Sequence, residues 1–284
     1  MTNIDAASGA APPAPPRCQN PTVDLEVPSN LLTIKHDRNN RLRIVITPQT
    51  CRATAYKIEI KRASGGGWFT LSTRRNYLWS ARVAGKFKLR GTATIEGSDV
   101  QSGEKDVEVQ FPNYAQIVGD SRVRTLTNRE WRSTLRECTR RRRRERGFWI
   151  QVNTKTNRYF ASNRSTGNWV GPAAGASVNL PGRPADVPAS PDPNAKSVKY
   201  PVASFHTHTP TTFRPNPPPP AAPSVRPVGP STADNNADNT DQVPGVVYDF
   251  VESPAGSGSI PMRHPKNSAA TLYRSLGVDR RPTP

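Results

Sequence analysis

Val202-Ala203-Ser204-Phe205-His206-Thr207-His208 is the stretch on which the reading of this chain turns. Its small and apolar start predicts a strand, buried early and exposed at its end. In a strand, residues two apart share a face, so His206 and His208 can converge on one ion. Gly229-Pro230-Ser231-Thr232-Ala233-Asp234 follows, and Asp234 lies 26 residues beyond His208. Its carboxylate can supply an oxygen. Two imidazoles, one carboxylate and an open fourth position form the ligand set of a catalytic zinc centre. The chain has four histidines. His36 and His264 fall in turn and loop sequence and are assigned no role.

A hydrolytic centre of this kind needs a carboxylate base near the water but off the metal. Glu145 is the choice, at the junction of a basic helix and a strand. Glu130 and Glu137 are alternatives, but they read as ordinary helix-surface residues. Asp238 and Asp241 are further acidic candidates, and neither has a serine three residues before it.

The surrounding sequence reads as alternating elements. Residues 127–143 predict a helix with a Thr127/Glu130 capping box, an apolar face of Trp131, Leu135 and Cys138, and a basic end running into Arg140 to Arg144. Gly147–Val152 and Arg158–Ala161 predict a hairpin. Ala176–Leu180 predicts a short strand, followed by loop over 181–196. The proline-rich run 210–230 predicts extended, irregular chain. Ser231 can cap a helix over about 232–239. Gly245–Val251 predicts a strand, 252–268 a loop and Ala269–Leu276 a short helix.

Ahead of this unit, residues 23–112 alternate in short runs: Val23–Val27, Leu42–Ile46, Tyr56–Ile60, Trp68–Leu71, Phe87–Ile95 and Asp106–Phe111. Six or seven short strands with polar turns predict an antiparallel, immunoglobulin-like sandwich. The expected organisation is a flexible tail over 1–22, a β-sandwich over 23–118 for targeting or structure, and an α/β (α+β) domain over 121–284 with a proline-rich insert at 209–230.

A glutamate upstream of a His-x-His strand and a Ser-x-x-Asp segment resembles the JAB/MPN (JAMM) metalloprotease family. The Glu145-Arg146-Gly147-Phe148-Trp149-Ile150 strand is similar to the divergent branch found in bacterial polymorphic toxins and secreted effectors. The resemblance covers residues 121–251. It implies a cytidine-deaminase-like mixed sheet with flanking helices, Zn2+ on His206, His208 and Asp234, Glu145 as general base, and Ser231 assisting the oxyanion. It further implies cleavage of a peptide or isopeptide bond in a protein or peptide substrate. Two departures stand out. Thr209 occupies the place of the family's proline, and 22 residues separate His208 from Ser231, far more than in the usual motif. Loops tolerate such insertion at small entropic cost.

The formal charge is +18, from 40 basic and 22 acidic residues, which favours acidic partners. An acidic protein, such as an immunity protein, is one expectation. The alternative function is a catalytically inactive or nucleic-acid-binding module in a secretion or toxin system. Nucleic acid is the weaker partner, because the arginines are not interleaved with stacking aromatics beyond Phe148 and Trp149. No apolar run is long enough to span a membrane. Met1 to Pro16 does not read as a secretory signal, so the expected location is cytoplasmic before release by a signal-independent route. Cys18, Cys51 and Cys138 are odd in number and widely spaced, which predicts neither a thiolate zinc site nor a disulfide scaffold.

Overall fold

The computed structural model describes residues 18–34, 41–49, 51–139, 141–171, 175–209, 228–251 and 269–282. The expected tail over 1–17, His36, most of the proline-rich run, the 252–268 loop and His264 lie outside them. Strand outweighs helix, 43% against 15%, so the protein is a β-rich α+β structure with several sheets.

Nine strands come first among the described residues: β1 (Val23–Glu26), β2 (Leu31–Thr33), β3 (Leu42–Pro48), β4 (Ala55–Arg62), β5 (Gly65–Ser72), β6 (Asn76–Trp79), β7 (Gly85–Ile95), β8 (Ser98–Gln101) and β9 (Lys105–Gln110). They form a three-stranded sheet, β1-β3-β6, and a six-stranded sheet, β2-β9-β7-β4-β5 with β8 on β7. Alternation decides which side chains go inward: Leu42, Ile44 and Ile46 on β3, and Phe87 and Leu89 on β7, are all buried. The sheets meet at Gly91, where a Cβ would lie 3.0 Å from Ile46 and 3.1 Å from Leu25. The short strands β2, β6 and β8 carry too few residues for a periodic signal and escape the sequence reading.

The second half holds α1 (Tyr114–Gly119), α2 (Ser121–Glu137), β10 (Arg146–Asn153), β11 (Arg158–Thr166), β12 (Lys199–Thr207), α3 (Thr232–Asp241), β13 (Gly245–Phe250) and β14 (Ala270–Arg274). Its sheet runs β11-β10-β12-β13-β14. The β12–β13 pair is parallel and the others are antiparallel. α3 lies on the crossover between the parallel strands, as the geometry of such a pair requires. β12 is central and buried from Tyr200 to Thr207.

A helix lies against each face of this sheet. Thr207 Oγ1 meets Thr134 Oγ1 of α2 at 2.7 Å, and Trp131 stacks on Tyr248 at 4.9 Å and meets Phe250 edge-on. On the other face, Ser204 Oγ donates to Asp238 of α3 at 2.6 Å. The two halves of the chain share one continuous cluster of buried apolar side chains. Ala84 N donates to Tyr200 Oη, and the Phe111 and Tyr200 rings meet edge-to-face at 5.0 Å.

Several expectations are corrected. α2 starts at Ser121, because Asp120 accepts from the Arg122 and Val123 N–H groups and so caps it. Thr127 is therefore not a cap; it is buried inside the helix. The helix stops at Glu137, and Arg141 to Arg144 fold back toward β10 instead of extending it. Residues 176–180 form no strand. They cross over β10, with Leu180 against Gly147 and Pro181 O accepting from Trp149 Nε1. Residues 270–274 form an edge strand, not a helix, and satisfy the outer edge of β13. Cys18 and Cys51 form a disulfide with Cα atoms 6.0 Å apart, which the odd count of cysteines had argued against. Cys138 is buried elsewhere.

Trp131→Ala removes the ring that docks α2 on the sheet. Chemical denaturation is expected to show a loss of about 3–5 kcal/mol.

Candidate metal centre

Pairing between β10 and β12 builds one side of the site. Gly147 lies opposite His206, Phe148 opposite Phe205 and Trp149 opposite Ser204. Opposed residues share a face. That pairing ends at Gly147 and His206, and Glu145 and His208 lie just beyond the two strands. Independent contacts agree on the faces. Arg146 and Arg164 reach Glu130 of α2, on the far side of the sheet. Gly147 thus faces the histidines, and Glu145 stands immediately before β10, outside the donor group. Glu145 is buried.

Gly147 is a packing requirement. A Cβ there would lie 2.7 Å from the Phe205 carbonyl oxygen, 2.8 Å from Leu180 Cδ2 and 3.2 Å from His206 Cβ. Only a residue without a side chain lets β10 approach the histidine strand this closely.

The third donor comes from the start of α3. Ser231 is its N-cap, as the sequence predicts. Ser231 Oγ accepts from Asp234 N at 3.2 Å, and Asp234 Oδ2 accepts from Ser231 N at 2.7 Å. This reciprocal box fixes the carboxylate that faces the histidines. His206 Nε2 lies 3.3 Å from Asp234 Oδ1, and His208 Nε2 lies 3.4 Å from Asp234 Oδ2. The two Nε2 atoms are 3.3 Å apart. Both histidines are buried, and Asp234 is half-buried. Burial pushes the Asp234 carboxyl up, but hydrogen bonding to His206 and His208 outweighs it and holds the group well below the usual carboxylate range.

Behind the cluster stands Asp249, with a fully buried side chain. Its Oδ2 lies 3.0 Å from His208 Nδ1. An ionised carboxylate only accepts there, so a neutral His208 facing it would carry its proton on Nδ1 and present the Nε2 lone pair to the cluster. In that tautomer an imidazole lone pair and carboxylate oxygens would converge at under 3.5 Å. Acceptors at that spacing repel unless a proton or a cation lies among them. Among the described residues, His206, His208 and Asp234 form a group whose donor atoms all fall within 4.8 Å of one another and could hold a metal ion.

The remaining acidic candidates sort by layer. Glu130 is buried and meets Arg146 at 3.6 Å and Arg164. Glu137 is half-buried and pairs with Arg144 at 2.7 Å and with Arg146. Burial pushes the Glu137 carboxyl up, while these arginines pull it below its ordinary value. Both glutamates thus belong to an ion-pair layer behind the sheet, not to a solvated helix surface. Asp238 accepts from Ser204 and Ser275, and burial raises its carboxyl. It supports the site's floor and is outside the donor group. Asp241 is also outside it.

The arginine run is likewise not a solvated helix end. Arg142 and Arg144 stack on the Trp169 ring at 4.2 and 4.1 Å, and Arg143 is buried in a backbone bridge to Val170. Asp249 was missed by the sequence reading. Its signal was a carboxylate inside the apolar run Val246-Val247-Tyr248-Asp249-Phe250, since a charge is buried only where partners await it.

Comparison of the chain with protein-family models, with curated proteins and with solved structures finds no match.

Gly147→Ala should force β10 and β12 apart. Thermal unfolding is expected to show a cost of about 1–3 kcal/mol, and metal binding at His206 should weaken with it.

Proposed function

We propose that residues 121–284 form a JAB/MPN-like zinc hydrolase unit that cleaves a peptide or isopeptide bond, with the immunoglobulin-like sandwich of residues 23–118 serving targeting. The spacing of the three donors carries this reading. Ligands at about 2.0–2.1 Å on a tetrahedral zinc lie about 3.3–3.4 Å from one another. The His206 and His208 Nε2 atoms are 3.3 Å apart, and each lies at 3.3 or 3.4 Å from a different oxygen of Asp234, so one donor atom from each residue falls within 4.8 Å of the others. The mixed sheet between two helices, with Glu145, the His-x-His strand and the Ser-x-x-Asp helix in that chain order, supports the same assignment.

Bound Zn2+ would polarise the scissile carbonyl and acidify a water molecule. The chain's own residues do the rest. Glu145, buried immediately before β10, takes the water proton and hands it to the leaving amine. Ser231 Oγ already accepts the Asp234 N–H, so its own proton is left to donate to the developing oxyanion. Asp234 is held as the anion by its neighbours, and His208 is held in one tautomer by Asp249. The Cys18–Cys51 bridge suits a chain that works in an oxidising compartment, in keeping with a secreted effector. Engagement of Glu130 and Glu137 with arginines 144, 146 and 164 takes those cations out of contention as a nucleic-acid face.

Elemental analysis of protein purified without chelator and then offered zinc should find about one zinc per chain, lost in His206→Ala and in Asp234→Ala. Wild-type protein that takes up none would sink the hydrolase reading. Glu145→Gln should keep its zinc yet cut a peptide library, read by mass spectrometry, about 10²–10⁴-fold more slowly.

A further inference from the structure

The donor group hangs from two chain segments far apart in sequence. β12 brings His206 and His208. The segment entering α3 brings Asp234, with Gly229 two residues ahead of the Ser231 cap. One oxygen touches both segments. Asp249 Oδ2 accepts from Gly229 N at 2.9 Å and faces His208 Nδ1 at 3.0 Å. The other oxygen, Oδ1, accepts from Phe250 N at 2.8 Å. The side chain is fully buried, near the end of β13, which pairs with β12 on one edge and β14 on the other.

Gly229 fits this arrangement closely. It adopts a positive φ of +84°, and a Cβ there would meet the Tyr273 ring at 3.3 Å. Tyr273 Oη in turn donates to Phe250 O at 2.9 Å. The turn into α3 is thus clamped between Asp249 and Tyr273, both on the β13–β14 hairpin. From that clamp the chain reaches Ser231 and its capping box with Asp234.

We infer that Asp249 is the positioning residue of the metal centre: it sets the His208 tautomer and ties the Asp234-bearing segment to the histidine strand. This rests on the reading of His206, His208 and Asp234 as metal ligands. It assigns Asp249 no contact with substrate or with the ion. Its effect is to aim the His208 Nε2 lone pair at the centre and to hold the two ligand-bearing segments at a fixed separation. A carboxylate behind a ligating imidazole raises ligand basicity and fixes ring orientation, and its loss costs about 10–100-fold in metal affinity.

The test uses the full chain, stripped of metal by dialysis against a chelator. Zinc affinity is measured by competition with a chromophoric chelator, and Co2+ is added separately to record the visible spectrum of the site. Four proteins are compared: wild type, Asp249→Ala, Asp249→Asn and Asp186→Asn. The last removes the partner of Arg280, a two-oxygen ion pair remote in the fold, and serves as a control for lost stability. Asp249→Ala should bind zinc about 10–100-fold more weakly with an altered Co2+ spectrum. Asp249→Asn, which keeps the shape and one acceptor oxygen, should fall between Asp249→Ala and wild type. Asp186→Asn should match wild type in both readouts. If Asp249→Ala does not fold, the near-isosteric Asp249→Asn decides alone. Wild-type affinity and spectrum in the Asp249 variants would overturn the positioning role while leaving the metal centre intact. Absence of zinc binding in wild type itself would overturn both.

Discussion

Two imidazoles and one carboxylate, with one donor atom of each within 4.8 Å of the others, converge in a largely buried site, and the rest of the C-terminal half is arranged around that constraint. Such a cluster does not assemble by hydrophobic collapse, because burial favours separating or neutralising these groups. It persists only if the surrounding backbone holds each group in place and a positive charge is shared among them. The holding is done from three directions. β12 supplies two imidazoles on one face by the period-two rule, the α3 capping box aims the carboxylate, and Asp249 locks one imidazole from behind.

The parity of β10 and β12 does most of the sorting. Residues turned toward α2 are Phe148, Phe205, Thr207 and Arg146, which make an apolar and ion-paired layer. Residues turned toward α3 are Gly147, Ser204, His206 and His208, which make the polar face. A one-residue slip between the strands would exchange the two sets. Close packing at Gly147 resists that slip, because any larger residue at its position would meet the Phe205 carbonyl.

Much of the site was legible because its signals are local. His-x-His reads as two groups on one face wherever the strand lies, and Ser231 to Asp234 is both a capping box and a ligand-bearing turn. The same locality explains the failures. The Thr127/Glu130 pair satisfies the capping-box pattern but sits inside a longer helix that Asp120 starts. Glu130 and Glu137 look like surface residues on a helical wheel, and only the return of Arg146 and Arg164 along the sheet buries or pairs them. Residues 270–274 have helical propensity, yet the unpaired edge of β13 outweighs it. Asp249 left a trace in the sequence as a charge in an apolar strand, but its partners Gly229 and His208 lie 20 and 41 residues away. The Cys18–Cys51 pairing depends on the sandwich bringing residues 33 apart together.

The ion-pair layer behind the sheet bears on the histidine face through alternation. Arg146 lies between Glu145 and Gly147 and is held on the α2 side by Glu137 and Glu130. Arg164, on neighbouring β11, reaches the same Glu130 and packs over Phe148 at 5.2 Å. Removing one member of such a buried network strands its partner's charge, which costs far more than the pair contributes over apolar replacements. The network therefore resists rotation of the first residues of β10 more than it adds to overall stability. Because adjacent strand residues point to opposite faces, fixing Arg146 against α2 fixes Gly147 against the histidine strand. The basic run after α2, which in sequence resembles a nucleic-acid patch, is thus partly turned inward: Arg143 is buried against Val170 and Arg144 pairs with Glu137, while Arg141 and Arg142 stay exposed.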